Sequence, residues 1–186
     1  MKYSLLSLIL SITLFTSCSK EVDPFSVSKQ NIGTLNDSTQ VKDLESVFIN
    51  DSIVKYIGGD EFTGNINDIT IYEKGGKKLL VLTPSQSLDS TSTIKTIRVI
   101  DERYKTAEGL APNSTFKSIK DNYTISGIQN TLSNIIVSVN EINAYFTIDK
   151  RELPANMRFD MDLKIDAIQI PDIAKIKNFY MFWPEK

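Results

Sequence analysis

Two apolar runs joined by a glycine turn most constrain what this chain can fold into. Residues 68–72 alternate apolar and polar side chains, and residues 79–82 form a second apolar run. Gly75 and Gly76 lie between the two runs, and a glycine pair suits the tight turn of a β-hairpin. The sequence therefore predicts two antiparallel strands at this point.

Similar short runs recur along the rest of the chain, with polar turns between them. They cover residues 93–100, 123–128, 134–139, 144–148 and 178–183. Strands that follow one another through short turns usually pair with their neighbours in the chain. We therefore expect a meander of antiparallel strands.

Helical patterns are few and short. The apolar residues within 41–48 fall at helical spacing, and Phe116 and Ile119 lie three apart on one face. A third helical turn can begin at Pro171, since proline suits the first position of a helix. Two or three short helices beside many strands predict an α+β fold, with a mostly antiparallel sheet in a single domain.

The stretch 158–165 alternates strictly between apolar and polar residues, which predicts a strand with one buried face. Asp160 and Asp162 would share the polar face, and Asp166 would extend the row. Carboxylates at alternate positions can bind calcium, so these three acids are candidate metal ligands. Lys164 lies between the acids, and the calcium-loop pattern lacks its glycine and terminal glutamate, which favours a solvated face without metal.

The aromatic strand near the end of the chain has two interpretations. Exposed aromatic side chains mark binding sites for partners or sugars, which makes Tyr180 and Phe182 candidate binding residues. In the alternative, alternate residues of the strand point into the core and another element covers these two outward rings. The sequence favours the core interpretation.

The first residues have the composition of a secretion signal. Lys2 supplies a positive start, residues 5–15 form an apolar run, and the small residues Thr16 and Ser17 precede Cys18. This order is typical of a signal peptide that is removed after export. The apolar run is shorter than the roughly 20 residues that span a bilayer as a helix, so a retained transmembrane anchor fits less well.

Residues 14–18, Leu-Phe-Thr-Ser-Cys, resemble the lipobox of bacterial lipoproteins, with Phe15 where that family usually has leucine. The resemblance implies that a diacylglycerol is attached to Cys18 and that residues 1–17 are removed. Residues 19–23 look like the tails that direct lipoproteins of the Bacteroidota to the cell surface. In the alternative, Cys18 is an ordinary cysteine near a conventional cleavage site and has no second cysteine to pair with.

A polar segment separates this cysteine from the first helical pattern. Residues 18–40 are rich in Ser, Thr, Asn, Asp and Lys, and their single apolar residues show no sustained period. This composition predicts a flexible tether, which leaves 41–186 as the globular domain. We expect the chain to contact the membrane through its lipid alone, in the cell envelope, on the outer membrane and facing either the periplasm or the cell surface.

The residue inventory excludes several kinds of site. With no histidine and one cysteine, the chain cannot form Ser-His-Asp, Cys-His or His-ligated metal sites. The formal net charge of −2 is dispersed without a basic stripe, so we expect no nucleic acid partner, and no motif implies a cofactor. The acid pairs Asp60 with Glu61 and Asp101 with Glu102 could cleave glycosides, but they suit turns better.

One short segment is similar to a local unit of known envelope proteins. Residues 106–110, then 114–116, Ile119 and Tyr123, look like the strand, glycine turn and short helix of small bacterial envelope lipoproteins. These include domains likened to β-lactamase inhibitory protein. The resemblance implies a shared supersecondary unit and no particular role.

The sequence therefore favours a lipid-anchored envelope protein whose domain binds a protein or a small molecule without catalysis. Two alternatives stay open. A carboxylate-dependent glycosidase or metal-dependent hydrolase would need two close, partly buried acids in a cleft. A structural component of envelope assembly would need a large exposed apolar patch.

Overall fold

Strands with alternating apolar side chains form the centre of one large antiparallel sheet. The structure is a computed structural model, and it describes residues 23–58 and 66–184. The strands and α-helices of these residues are β1 (Ser26–Val27), β2 (Asn31–Ile32), β3 (Leu35–Asn36), α1 (Leu44–Val47), β4 (Asp51–Gly58), β5 (Ile66–Glu73), β6 (Lys78–Pro84), β7 (Ile94–Val99), β8 (Lys105–Thr106), α2 (Phe116–Asn122), β9 (Gly127–Asn130), β10 (Asn134–Val139), β11 (Ala144–Asp149) and β12 (Ile176–Phe182).

The large sheet has eight strands in the order β4-β5-β6-β7-β12-β11-β10-β9, and all neighbours are antiparallel. Each half of the sheet is a meander, β4 to β7 and β9 to β12. The halves meet where β7 pairs with β12, with Arg98 opposite Tyr180. A mostly antiparallel sheet with few short helices confirms the predicted α+β fold and single domain.

The two faces of the large sheet differ in burial. One face packs into a continuous hydrophobic core that also contains Leu44 of α1 and Phe116 of α2. The opposite face carries the partly exposed side chains of Arg98, Tyr145 and Tyr180, which lie outside that core. The helices and the smaller sheet therefore cover one side of the large sheet.

A second, four-stranded sheet is formed by the order β3-β2-β1-β8. Its apolar residues Val27, Ile32 and Leu35 are buried in the common core. The indole Nε1 of Trp183, at the end of the large sheet, donates a hydrogen bond to the carbonyl of Lys29 at 3.0 Å. Residues 23–40, which we call the N-terminal ribbon, are thus an integral part of the domain.

This arrangement corrects the predicted tether over residues 18–40. Residues 23–40 are folded, because β1, β2 and β3 pair with one another and β1 pairs with the distant β8, which buries three isolated apolar residues without a local repeat. The globular domain therefore includes residues 23–40 as well as the predicted residues from 41 onward. The predicted signal over residues 1–17 and the lipidated Cys18 lie outside the described residues.

The predicted strand over 158–165 is also wrong. This stretch is a loop, and Phe159 and Met161 are exposed although the alternation placed them in the core. The carboxylate of Asp160 accepts hydrogen bonds from the backbone N–H groups of Asp162 and Leu163, at 2.9 and 3.1 Å. Such local bonds fix a turn and compete with strand pairing.

Most other elements follow the predictions. The hairpin around Gly75 and Gly76 forms as β5 and β6, and the predicted helices form as α1 and α2. The segment beginning at Pro171 closes a single turn, in which Ala174 N–H donates to the Pro171 carbonyl, and does not form a helix. The predicted strand at 123–128 begins only at Gly127, and β4 was not predicted at all. No helix among the described residues has the length and apolar character needed to cross a bilayer.

Candidate functional site

A cleft of about 350 Å³ opens between the small sheet and one end of the large sheet. Its volume falls in the range of small-molecule sites, about 300 to 1,000 Å³. Its lining is mainly apolar and is formed by Pro24, Phe25, Ile32, Thr34, Val47, Phe48, Ile49, Asn50, Asp51, Glu73, Leu79 and Tyr104. An apolar pocket with a few converging polar groups is the usual form of a binding site.

Three parts of the fold supply the walls of this cleft. The N-terminal ribbon contributes Phe25, whose ring meets the Tyr104 ring edge to face, with 5.1 Å between centroids. The segment after α1 contributes Phe48 and Ile49, and the Thr34 hydroxyl donates to the Val47 carbonyl at 3.4 Å. The cleft therefore exists only because residues 23–40 are folded against the large sheet.

Asp51 and Glu73 bring two carboxylates to the cleft, because they are directly opposite each other on β4 and β5. Burial raises the pKa of Asp51, and the negative charge of Glu73 raises it further. The hydrogen bond from Arg103 lowers the pKa of Glu73. The two acids thus differ in their tendency to hold a proton although they are neighbours.

A charge network lies behind Glu73. The Arg103 Nη1 atom is 2.8 Å from Glu73 Oε1, and its Nη2 atom is 2.8 Å from Asp101 Oδ2. Lys77 Nζ is 3.0 Å from the same Asp101 oxygen. Burial by itself raises the pKa of Asp101, but the hydrogen bonds from Arg103 and Lys77 outweigh it and lower the pKa to about 2. Asp101 is therefore a structural anion that orients Arg103.

Tyr104 is the buried hydroxyl-bearing side chain of the cleft. Burial, together with the negative charges of Asp51 and Asp101, raises the pKa of its phenol. The phenol is therefore neutral at physiological pH and can donate a hydrogen bond to a ligand. With Asp51, it gives the apolar cleft two polar groups that could orient an amphipathic molecule.

One acid pair considered from the sequence, Asp101 with Glu102, lines a second and more open cleft of about 530 Å³. Asp101 is buried in the charge network, and Glu102 accepts a hydrogen bond from Asn113 Nδ2 at 2.8 Å. Both belong to the turn that follows β7, as the turn interpretation predicts. Asp60 and Glu61 lie outside the described residues.

The candidate calcium ligands are not on one strand face. Asp160 fixes its own turn, and the exposed Asp162 follows it. Asp166 precedes the short 3-10 helix at Ala167–Gln169 and forms a capping box with Gln169. Within the described parts of the chain, no group of three or more acidic or cysteine side chains is placed to hold a metal ion. The prediction that these three acids share one strand face, on which the metal site depended, is therefore wrong.

The candidate aromatic residues lie on the open face of the large sheet. Phe179 and Met181 are buried, which confirms the core interpretation for the inward half of β12. Tyr180 is half-buried and stacks on Tyr145, with ring centroids 4.8 Å apart and planes inclined by 10°. Phe182 is exposed. The outward side chains of β12, Tyr180 and Phe182, are therefore only partly covered by other elements.

The acid pair of the cleft was missed from the sequence because the pairing of Asp51 with Glu73 depends on β4. The Asp-Ser at the start of β4 gives no strand signal, since both residues are common in turns. The β-branched and aromatic residues of the stretch 53–57, Ile-Val-Lys-Tyr-Ile, were the available signal.

Comparisons with known proteins inform the fold only. No protein-family model and no curated protein matches the chain. Among solved structures, the chain is similar to the crystal structure of the uncharacterized protein yfeY from Escherichia coli, with a TM-score of 0.56 and 14% sequence identity. The match covers 84% of this chain and 99% of that chain.

Proposed function

We propose that this chain is a lipid-anchored protein of the cell envelope whose domain binds a small amphipathic molecule, without catalysis, in the cleft between the two sheets. The observation that carries the proposal is the cleft itself, which has a mainly apolar lining from three parts of the fold and includes the Tyr104 phenol and the carboxyl groups of Asp51 and Glu73 among its polar groups. The lipobox resemblance at Cys18 supports the anchor.

Titration with phenylnaphthylamine, whose fluorescence rises in apolar surroundings, tests the binding site. Ile49 lines the cleft and is 79% exposed, whereas Ile173 is 80% exposed and does not line it. The substitution Ile49→Asp should weaken probe binding because it places a charge at the cleft, and the matched Ile173→Asp should leave binding unchanged. Equal binding by both variants would contradict the proposal.

Cell fractionation tests the anchor. Cys18→Ala should move the protein from the membrane fraction to the soluble fraction, because the thioether-linked lipid can no longer be attached. Continued membrane retention of the variant would refute lipidation at Cys18.

A carboxylate-dependent glycosidase is the second candidate. The opposite pKa shifts of Asp51 and Glu73 favour it, since a general acid and its ionised partner are typically separated in this way. Under this alternative, Asp51→Asn abolishes hydrolysis of a glycoside substrate while phenylnaphthylamine binding persists. The absence of hydrolysis by the wild-type protein on cell-wall glycans would remove this candidate.

A further inference from the structure

The edge strand β4 is open to pairing with another strand from Ser52 onward, whereas the Asp51 N–H donates a hydrogen bond to the Phe48 carbonyl at 3.0 Å. It pairs with β5 on one side, and no described strand pairs with its other side. Val54 and Tyr56 on this strand are 51% and 59% exposed. Unpaired backbone groups on a long edge strand are a template for another strand.

The opposite edge of the same sheet is protected. The strand there, β9, has four residues, against eight in β4. The Asn130 side-chain amide of β9 also donates hydrogen bonds to the carbonyls of Asp160 and Leu163, both at 3.0 Å, which holds a loop against this end. One edge is thus short and held by a loop, whereas the other is long and is not paired by any strand of the described residues.

Two complementary charges lie on the same face of β4. Asp51 and Lys55 are separated by Ile53, and all three alternate onto the face that packs toward the core. Within the described residues, neither Asp51 nor Lys55 forms an ion pair. Arg103 pairs with Asp101 and Glu73 and not with Asp51. An anion and a cation at equal distances from a central residue are self-complementary about a two-fold axis through that residue.

We propose that β4 pairs with β4 of a second copy of this chain, antiparallel and centred on Ile53. In this register Asp51 of each copy is opposite Lys55 of the other, so that the dimer contains two cross-strand ion pairs and an Ile53 to Ile53 contact. The axis is perpendicular to the sheet, which keeps the covered faces of both copies on the same side. Pairing centred on Lys55 would instead oppose two like charges.

Native mass spectrometry of the full chain, released from detergent, tests this pairing. The wild-type protein should be a dimer, and Lys55→Glu should weaken dimerisation about ten- to a hundredfold because both ion pairs become repulsive. Asp51→Lys should have the same effect, and the double variant Asp51→Lys with Lys55→Asp should restore the dimer. Lys74→Glu, in the exposed turn after β5, is the matched control and should leave the dimer unchanged.

A monomeric wild-type protein across about a hundredfold range of micromolar concentration would overturn the proposal. A Lys55→Glu variant as dimeric as the wild type, or a charge-swapped double variant that stays monomeric, would also overturn it. Since Lys55 is exposed, its substitution does not disturb the core, and an unchanged circular dichroism spectrum checks that the variants are folded.

Discussion

The guanidinium of Arg103 lies over the ring of Phe25, with 4.3 Å between its central carbon and the ring centroid. The same guanidinium holds Asp101 through Nε and Nη2, at 3.1 and 2.8 Å from the two carboxylate oxygens. Arg103 therefore connects the N-terminal ribbon to the buried carboxylate of Asp101, which follows β7. Because Phe25 lines the cleft, the charge network supports the proposed binding site directly.

Loss of the buried anion should destabilise the domain. We expect Asp101→Ala to lower the free energy of unfolding by about 3 kcal/mol, since it leaves Arg103 and Lys77 without their shared partner. Urea denaturation measures the change. Asp162→Ala removes an exposed carboxylate and should lie within about 0.5 kcal/mol of the wild type. A small effect of Asp101→Ala would show that the network is dispensable.

The same anion predicts a dependence of stability on acid pH. Its pKa falls from 3.8 to about 2 on folding, so its contribution is complete above about pH 4 and is lost as the pH falls through 2. The loss amounts to about 2 kcal/mol. Between pH 5 and 2, the free energy of unfolding should therefore fall more steeply with decreasing pH for the wild type than for Asp101→Asn, whose side chain cannot titrate. Parallel curves would contradict this assignment.

A close backbone approach predicts the effect of a glycine substitution in the ribbon. Gly33 has φ +55°, and a Cβ there would lie 2.2 Å from the Pro24 carbonyl oxygen. Gly33→Ala should cost about 2 kcal/mol and displace Pro24 from the cleft. Gly109 has φ +79° but open space around it, so Gly109→Ala should cost about 1 kcal/mol. Thermal unfolding compares the two, and equal losses would refute the steric argument.

A buried amine predicts a stabilising substitution. Lys150 is buried, and its Nζ has no hydrogen-bond partner among the described residues. Lys150→Met should raise the free energy of unfolding by about 1 to 2 kcal/mol, because it removes an unpaired polar group from the core. Lys175→Met, at an exposed position, is the control. A lower melting temperature for Lys150→Met would indicate that the amine has a required partner.

The elements with a sustained local repeat were predictable from the sequence. Ile69 and Ile71 alternate over a full strand, and the Gly75 and Gly76 turn fixes where it reverses. The N-terminal ribbon was not predictable, because a two-residue strand contains no measurable period. Val27 pairs with Thr106 far along the chain, and Ile32 is buried in a core that is shared with the large sheet.

The candidate site was harder to predict than the fold. Asp51 and Glu73 are distant in sequence and meet through the register of β4 with β5. Phe25 and Tyr104 meet because β1 runs parallel to β8, a pairing that no local pattern indicates. The loop at 158–165 shows the converse, since its local alternation was overridden by the hydrogen bonds of Asp160.

Nuclear magnetic resonance mapping of bound phenylnaphthylamine shows directly whether the cleft is the binding site. We expect the probe to shift the amide signals of Thr34, Phe48 and Tyr104, which line the cleft, and to leave those of Tyr180 and Phe182 unchanged. Shifts confined to Tyr180 and Phe182 would place binding on the open face of the large sheet and would contradict the cleft as the binding site.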